Sequence, residues 1–228
     1  MKQIALDISL QPGPSLQNYL PGDNGQALQH LKLWLESSRR APVPTYLWGP
    51  SGSGKSHLLR AVANALQAQG QSFGWIDADC TEPGPFVPEW RAVLFDDVHR
   101  YSIVQQHAAF NWFVHASAPG REPCWILAAG DTPPADLAVR DDLRSRLGWG
   151  HVFALQALSD AQRRAVLLQQ AQARGLTLSS DVVDYMLTRF SRDLGHQSAL
   201  LDQLDAYALQ TQRAITVPLL KSMLDDLS

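Results

Sequence analysis

Gly49-Pro50-Ser51-Gly52-Ser53-Gly54-Lys55-Ser56 decides the fold, because of what stands on either side of it. Thr45-Tyr46-Leu47-Trp48 before it is β-prone and apolar, while His57 to Gln69 after it carries apolar residues at helical spacing. The loop is therefore expected to join a buried strand to a helix N-terminus, and in that setting it reads as a phosphate-binding P-loop. Its glycines let backbone N–H groups close around phosphates. Lys55 brings a point charge to the β- and γ-phosphates, and the Ser56 hydroxyl takes one position on Mg²⁺. The expected cofactors are ADP or ATP with Mg²⁺. A Gly/Ser-rich surface turn is the alternative, but it gives no reason for Lys-Ser followed at once by an amphipathic helix.

Working outward, residues up to Pro21 contain Pro12, Gly13, Pro14 and Pro21 with little periodicity, which reads as a flexible arm. From Asn24 a helix with Leu28, Leu31 and Leu35 on one face runs toward Arg40, and Pro42 and Pro44 end it. Four further apolar runs follow the P-loop: Phe73 to Ile76, Ala92 to Phe95, Trp125 to Ala129 and Val152 to Leu155. Short apolar runs alternating with helix or loop material predict an α/β fold, a mostly parallel sheet covered on both faces. After Leu158 only helical patterns remain, at about 160–174, 180–191, 197–212 and 217–227, with Gly175, Ser179-Ser180, Gly195 and Pro218 between them. The expected organisation is an arm over residues 1–21, an α/β nucleotide-binding domain over 22–157 and a small all-helical domain over 158–228.

Composition excludes some classes. A chain of 228 residues has ample length for a packed core, and 45% hydrophobic with 18% charged residues fits an ordinary soluble globular protein. A net charge of −3 argues against a chain built mainly to grip nucleic acid, so contact with DNA is expected only indirectly, through a partner. Cys80 and Cys124 match no metal-ligand spacing and are read as reduced. The start, Met1 to Asp7, lacks a signal peptide's apolar run, and no stretch approaches the ~20 apolar residues that span a bilayer, so the expected location is cytoplasmic with no membrane partner.

Beyond the P-loop, Ala92-Val93-Leu94-Phe95-Asp96-Asp97 places two carboxylates at the end of an apolar strand, where an open α/β sheet faces its ligand. Asp96 is then the expected Mg²⁺ partner of a Walker B motif, and Asp97 is placed to polarise an attacking water. Two solvated acids at a strand end are the alternative. Asp131, at the end of the Trp125 run, falls beside a γ-phosphate if that strand lies between the other two; equally, polar residues end strands because loops are solvated. His99 and His107 are read as satisfied or exposed side chains. Asp141 to Gly150 concentrates arginine just before the last strand. Either Arg146 projects into a neighbour's nucleotide, or Arg144 and Arg146 pair with Asp141 and Asp142 on one helical face; spacing alone does not choose.

Together these features resemble the AAA+ ATPases. Ser145-Arg146-Leu147-Gly148-Trp149-Gly150 and Leu94-Phe95-Asp96-Asp97-Val98 are similar to the corresponding segments of the DnaA replication-initiator group. The chain ends at Ser228 with the helical lid, where DnaA carries a DNA-reading domain, and the resemblance is closest to the regulatory inactivators of that group. It implies several roles. Gln3, Leu6 and Ile8 match the peptide that docks on the β sliding clamp; Tyr19 and Leu20 lie in the segment packing near adenine; Asp131 is sensor I. Arg146 is an arginine finger acting in trans on ATP held by DnaA. The lid arginine of the superfamily falls on Gly195, one helical turn after Arg192, which implies at most weak intrinsic turnover. The implied function is negative regulation of replication initiation, with the clamp and DnaA as partners and room for a homo-oligomer. A self-contained ATPase such as a helicase loader is the alternative. A small-molecule kinase and a DNA-reading initiator fit less well.

Overall fold

The computed structural model describes residues 13–37, 43–118, 122, 124–190 and 194–226. Gln3, Leu6 and Ile8, expected from sequence to dock on a clamp, and Arg192 lie outside them.

A parallel five-stranded sheet has the order β2-β3-β4-β1-β5. Its strands are β1 (Thr45–Trp48), β2 (Phe73–Ile76), β3 (Ala92–Phe95), β4 (Trp125–Gly130) and β5 (His151–Ala154). Side chains alternate between the two faces. Leu47, Leu94, Leu127 and Ala129 pack under α1 (Gly25–Glu36) and α2 (Lys55–Ala68), and Trp34 of α1 stacks on Trp125 at 3.5 Å between centroids. Tyr46, Val93, Phe95, Ile126 and Ala128 face α3 (Ile103–Ala116) and α4 (Asp141–Leu147). The continuous apolar runs of β1, β3 and β4 follow from this, since both faces of the central strands are buried. β5 departs from that rule: it is an edge strand, with His151, Val152 and Ala154 exposed.

The remaining helices, α5 (Asp160–Ala173), α6 (Ser180–Arg189), α7 (Leu194–Thr211) and α8 (Val217–Asp226), bury a third cluster of their own around Leu167, Val183, Met186, Leu201 and Leu220. Ser159 and Gln162 form a capping box that starts α5.

The segment from Gly13 to Pro21, read from its prolines and glycines as part of a flexible arm, packs against α2. Leu16 and Tyr19 are buried, Asn64 donates to the Pro14 carbonyl at 2.9 Å, and His57 donates to the Ser15 carbonyl at 3.2 Å. Two apolar anchors three residues apart suffice to fix a short segment, and they leave no periodic signature. Among the described residues no helix is long and apolar enough to cross a membrane.

Candidate functional site

The P-loop runs from the end of β1 to the first turn of α2. Gly49, Gly52 and Gly54 take φ of 154°, 76° and 90°, values that favour glycine. At Gly49 the restriction is absolute, because an added Cβ would lie 2.2 Å from the Leu155 carbonyl oxygen. Pro50 and Ser51 are the loop's turn, and Ser53 is buried with a hydroxyl that has no hydrogen-bond partner among the described residues. Lys55 Nζ donates to the carbonyls of Gly49 at 2.7 Å and Pro50 at 3.0 Å, which leaves part of its donor capacity for an anion. Burial pulls the Lys55 ammonium down from its ordinary pKa, and the carboxylates of Asp97, Asp96 and Asp131 oppose that shift. One cation therefore sits in the field of all three acids named from sequence.

Register explains why they converge. β4 lies between β3 and β1, with Phe95 paired to Ala128 and Trp48 paired to Gly130, so the turns after all three strands open on one edge of the sheet. Ser56 Oγ donates to Asp96 Oδ1 at 3.0 Å. Asp96 is 4% exposed; burial raises its carboxyl pKa, the Ser56 bond lowers it, and Asp97 raises it again. A hydroxyl and a carboxylate oxygen at that separation are hard oxygen donors suited to Mg²⁺, the chemistry of which is to neutralise phosphate charge. With an unpartnered Ser53 hydroxyl, spare lysine donors and glycine-shaped backbone, the residues fit a magnesium nucleotide.

Asp97 has φ 52°, the left-handed region, and its carboxylate lies 3.7 Å from Arg100. Next to Asp131 in sequence, the Tyr46 hydroxyl donates to the Thr132 carbonyl at 2.9 Å and stands where any side chain on Gly130 would be. His99 Nδ1 is 3.8 Å from Asp131 Oδ1. Sequence reading gave His99 no part in the site; its place four residues before α3, on a short helical turn after Asp97, carries no signal of its own.

Tyr19 reaches the loop from the other side. It donates from its hydroxyl to the Ser53 carbonyl at 3.2 Å, and its ring fills the space a Cβ on Gly54 would need. Asn24 holds it there, donating to the Tyr19 hydroxyl at 3.0 Å and to the Gln156 carbonyl at 2.9 Å while accepting from the Gln156 N–H at 2.7 Å. Leu20 follows, half-buried. The Asn24 clip was not foreseen, because its partner lies 132 residues away.

Arg146 is not part of this cluster. Its guanidinium carbon lies 5.2 Å from the ring centre of Phe110 and 5.5 Å from that of Phe113, both on α3. The acids beside it are engaged by its neighbours: Arg144 with Asp141 at 2.7 Å and Arg140 with Asp142 at 2.6 Å. Among the described residues no carboxylate pairs with Arg146. Gly195 stands in the first turn of α7.

Residues 160–224 match the family model of the Hda lid domain. Domain III of the replication initiation protein DnaA from Thermotoga maritima superposes with a TM-score of 0.70 at 19% identity, over 95% of this chain and 97% of that one. AMPPCP-bound DnaA from Aquifex aeolicus gives 0.65 at 23% identity, over 86% of this chain and 66% of that one. The RuvB Holliday junction branch migration motor of Thermotoga maritima gives 0.65 at 14%, over 94% and 72%. By its family model the segment 160–224 is a lid domain of the Hda type, and the chain as a whole shares the fold of domain III of DnaA, a parallel P-loop sheet followed by a helical lid.

Proposed function

We propose that this protein is a nucleotide-bound negative regulator of replication initiation that stimulates hydrolysis of ATP held by DnaA. In this reading ADP or ATP binds at Gly49 to Ser56 with Mg²⁺ on Ser56 and Asp96, and Tyr19 and Leu20 border the base. Asp97 and Asp131 face the γ-phosphate position. The bound nucleotide serves mainly to order the surface that the partner meets. Gln3, Leu6 and Ile8 dock on the β sliding clamp, so contact with DNA is indirect.

The observation that carries the reading is that Arg146 has no carboxylate partner among the described residues, beside two arginines already paired with carboxylates. A planar cation without an internal counter-ion is available to a partner's phosphate. In the reaction, the oxygen of a water bonds to the γ-phosphorus and the bond to the β–γ bridging oxygen breaks. ADP departs with that electron pair, and the water proton passes to phosphate. Arg146 supplies charge to the transferring oxygens, an effect of about 10³–10⁵ in rate for an arginine given in trans.

The test follows hydrolysis of DnaA-bound ATP on clamp-loaded DNA. Arg146→Ala is expected to abolish stimulation while leaving clamp retention intact; Gln3→Ala is expected to abolish both. Full stimulation by Arg146→Ala overturns the reading. Rapid ATP turnover by the isolated protein supports a self-contained ATPase instead.

A further inference from the structure

The stretch before β5 carries three arginines whose environments differ in kind. Arg140 is held by Asp142 at 2.6 Å and by the His107 ring, and Arg144 is held by Asp141 at 2.7 Å. Arg146 rests on aromatic faces instead. Phe113 belongs to the buried core, whereas Phe110 of α3 is half-buried. The Arg140 guanidinium lies 5.4 Å from the same Phe110 ring, so two cations share one ring, and among the described residues only Arg140 of the two has a carboxylate.

The choice of ring over carboxylate has a chemical consequence. A carboxylate bound to Arg146 would occupy its N–H donors and cancel its charge, and a phosphate would have to displace it. A ring face attracts the cation through its quadrupole, fixes the plane of the guanidinium and leaves the N–H edge unspent. Arg140, pinned at the same ring and like in charge, limits how far Arg146 can swing toward it. We infer that Phe110 is the positioning residue of Arg146, setting the guanidinium's plane and direction before it meets a phosphoryl group. This rests on the reading of Arg146 as the group supplied in trans and names what orients it.

The experiment uses the full-length protein in the assay of DnaA-bound ATP hydrolysis, with Phe110→Leu, Phe110→Tyr and Arg146→Ala. Phe110→Leu keeps apolar bulk and removes the π face. It is expected to lower the maximal stimulated rate at saturating protein by about five- to thirty-fold, the effect of losing a partly desolvated cation–π contact. The half-saturating concentration, ADP affinity and melting temperature should stay unchanged. Phe110→Tyr retains the face and should stimulate as the parent does. In an Arg146→Ala background, Phe110→Leu should cause no further loss. The inference is overturned by full activity of Phe110→Leu, by equal loss in Leu and Tyr variants, or by a change confined to the half-saturating concentration. An inactive Arg146→Ala beside a fully active Phe110→Leu removes the positioning role alone, whereas an active Arg146→Ala removes the reading beneath it as well.

Discussion

Gly54 shows how a single backbone position binds the proposed nucleotide site to the rest of the molecule. With φ at 90° and a would-be Cβ 2.6 Å from Tyr19 Cε2, it is doubly restricted: any side chain strains the backbone and also displaces the tyrosine that buttresses the loop. Gly54→Ala is expected to cost about 1–3 kcal/mol of stability from backbone strain, with loss of ADP binding in calorimetric titration. Unchanged ADP affinity would show that the loop tolerates a shift of Tyr19. Tyr19→Phe removes only the hydroxyl between Asn24 and the Ser53 carbonyl, and should cost about 1 kcal/mol in thermal unfolding with the ring buttress intact. The loop glycines were legible in sequence from their P-loop spacing, and three of them take the positive φ that such a loop needs. The left-handed backbone of Asp97 and the approach of His99 to Asp131 were not, since both arise from how the chain turns after β3.

Among the elements, the strands were the most readable, because the period of apolar residues is set by a sheet buried on both faces. α3 was harder to place: its outer positions Ile103, Val104 and Val114 are exposed apolar residues that blur the helical stripe. The start of α3 was nevertheless written in Ser102 and Gln105, a capping box observed in full. α4, at seven residues, is too short for periodicity to mark. The junction between Gly13–Pro21 and the sheet depends on Asn24, which is 4% exposed and shares both amide groups with Gln156 and Tyr19. Asn24→Ala leaves the Gln156 N–H and carbonyl without that partner. It is expected to destabilise the protein by about 2–3 kcal/mol. At about 2–4 °C per kcal/mol for a chain of this size, a thermal melt reads it directly. Asn24→Asp keeps the acceptor and loses the donors, and should fall between the two. A melt of Asn24→Ala matching the parent would mean the clip is made good by water.

At the scale of the whole molecule, two neutral histidines tie separate elements together and give the fold a dependence on pH. His30 of α1 hydrogen-bonds with Thr45 of β1 at 2.9 Å and lies against the rings of His151 and Phe153 on β5, 4.6 Å and 5.1 Å between centroids. Burial lowers its pKa, and the charge of His151 lowers it further. His57 of α2 donates to the Ser15 carbonyl and lies 5.7 Å from the Tyr19 ring; burial lowers its pKa too, against the raising effect of the Ser15 bond. A histidine with a depressed folded-state pKa binds fewer protons folded than unfolded, so stability is present above the unfolded value of about 6.5 and is lost as pH falls below it. Asp96 acts in the opposite sense, since burial raises its carboxyl and acidification relieves that cost, so a fall in stability between about pH 7 and pH 5 belongs to the histidines. The melting temperature is therefore expected to drop between about pH 7 and pH 5, above the range in which ordinary carboxylates titrate. His30→Gln and His57→Gln should each flatten the slope, and the double variant should flatten it most. His30 lies between α1, β1 and β5, and His57 lies between α2 and the segment that carries Tyr19. Proteolysis at acid pH should then free Gly13 to Pro21 earlier in the parent than in His57→Gln. A pH-independent melt, or a slope untouched by both substitutions, would show that these imidazoles take up protons in the folded state as readily as in the unfolded chain.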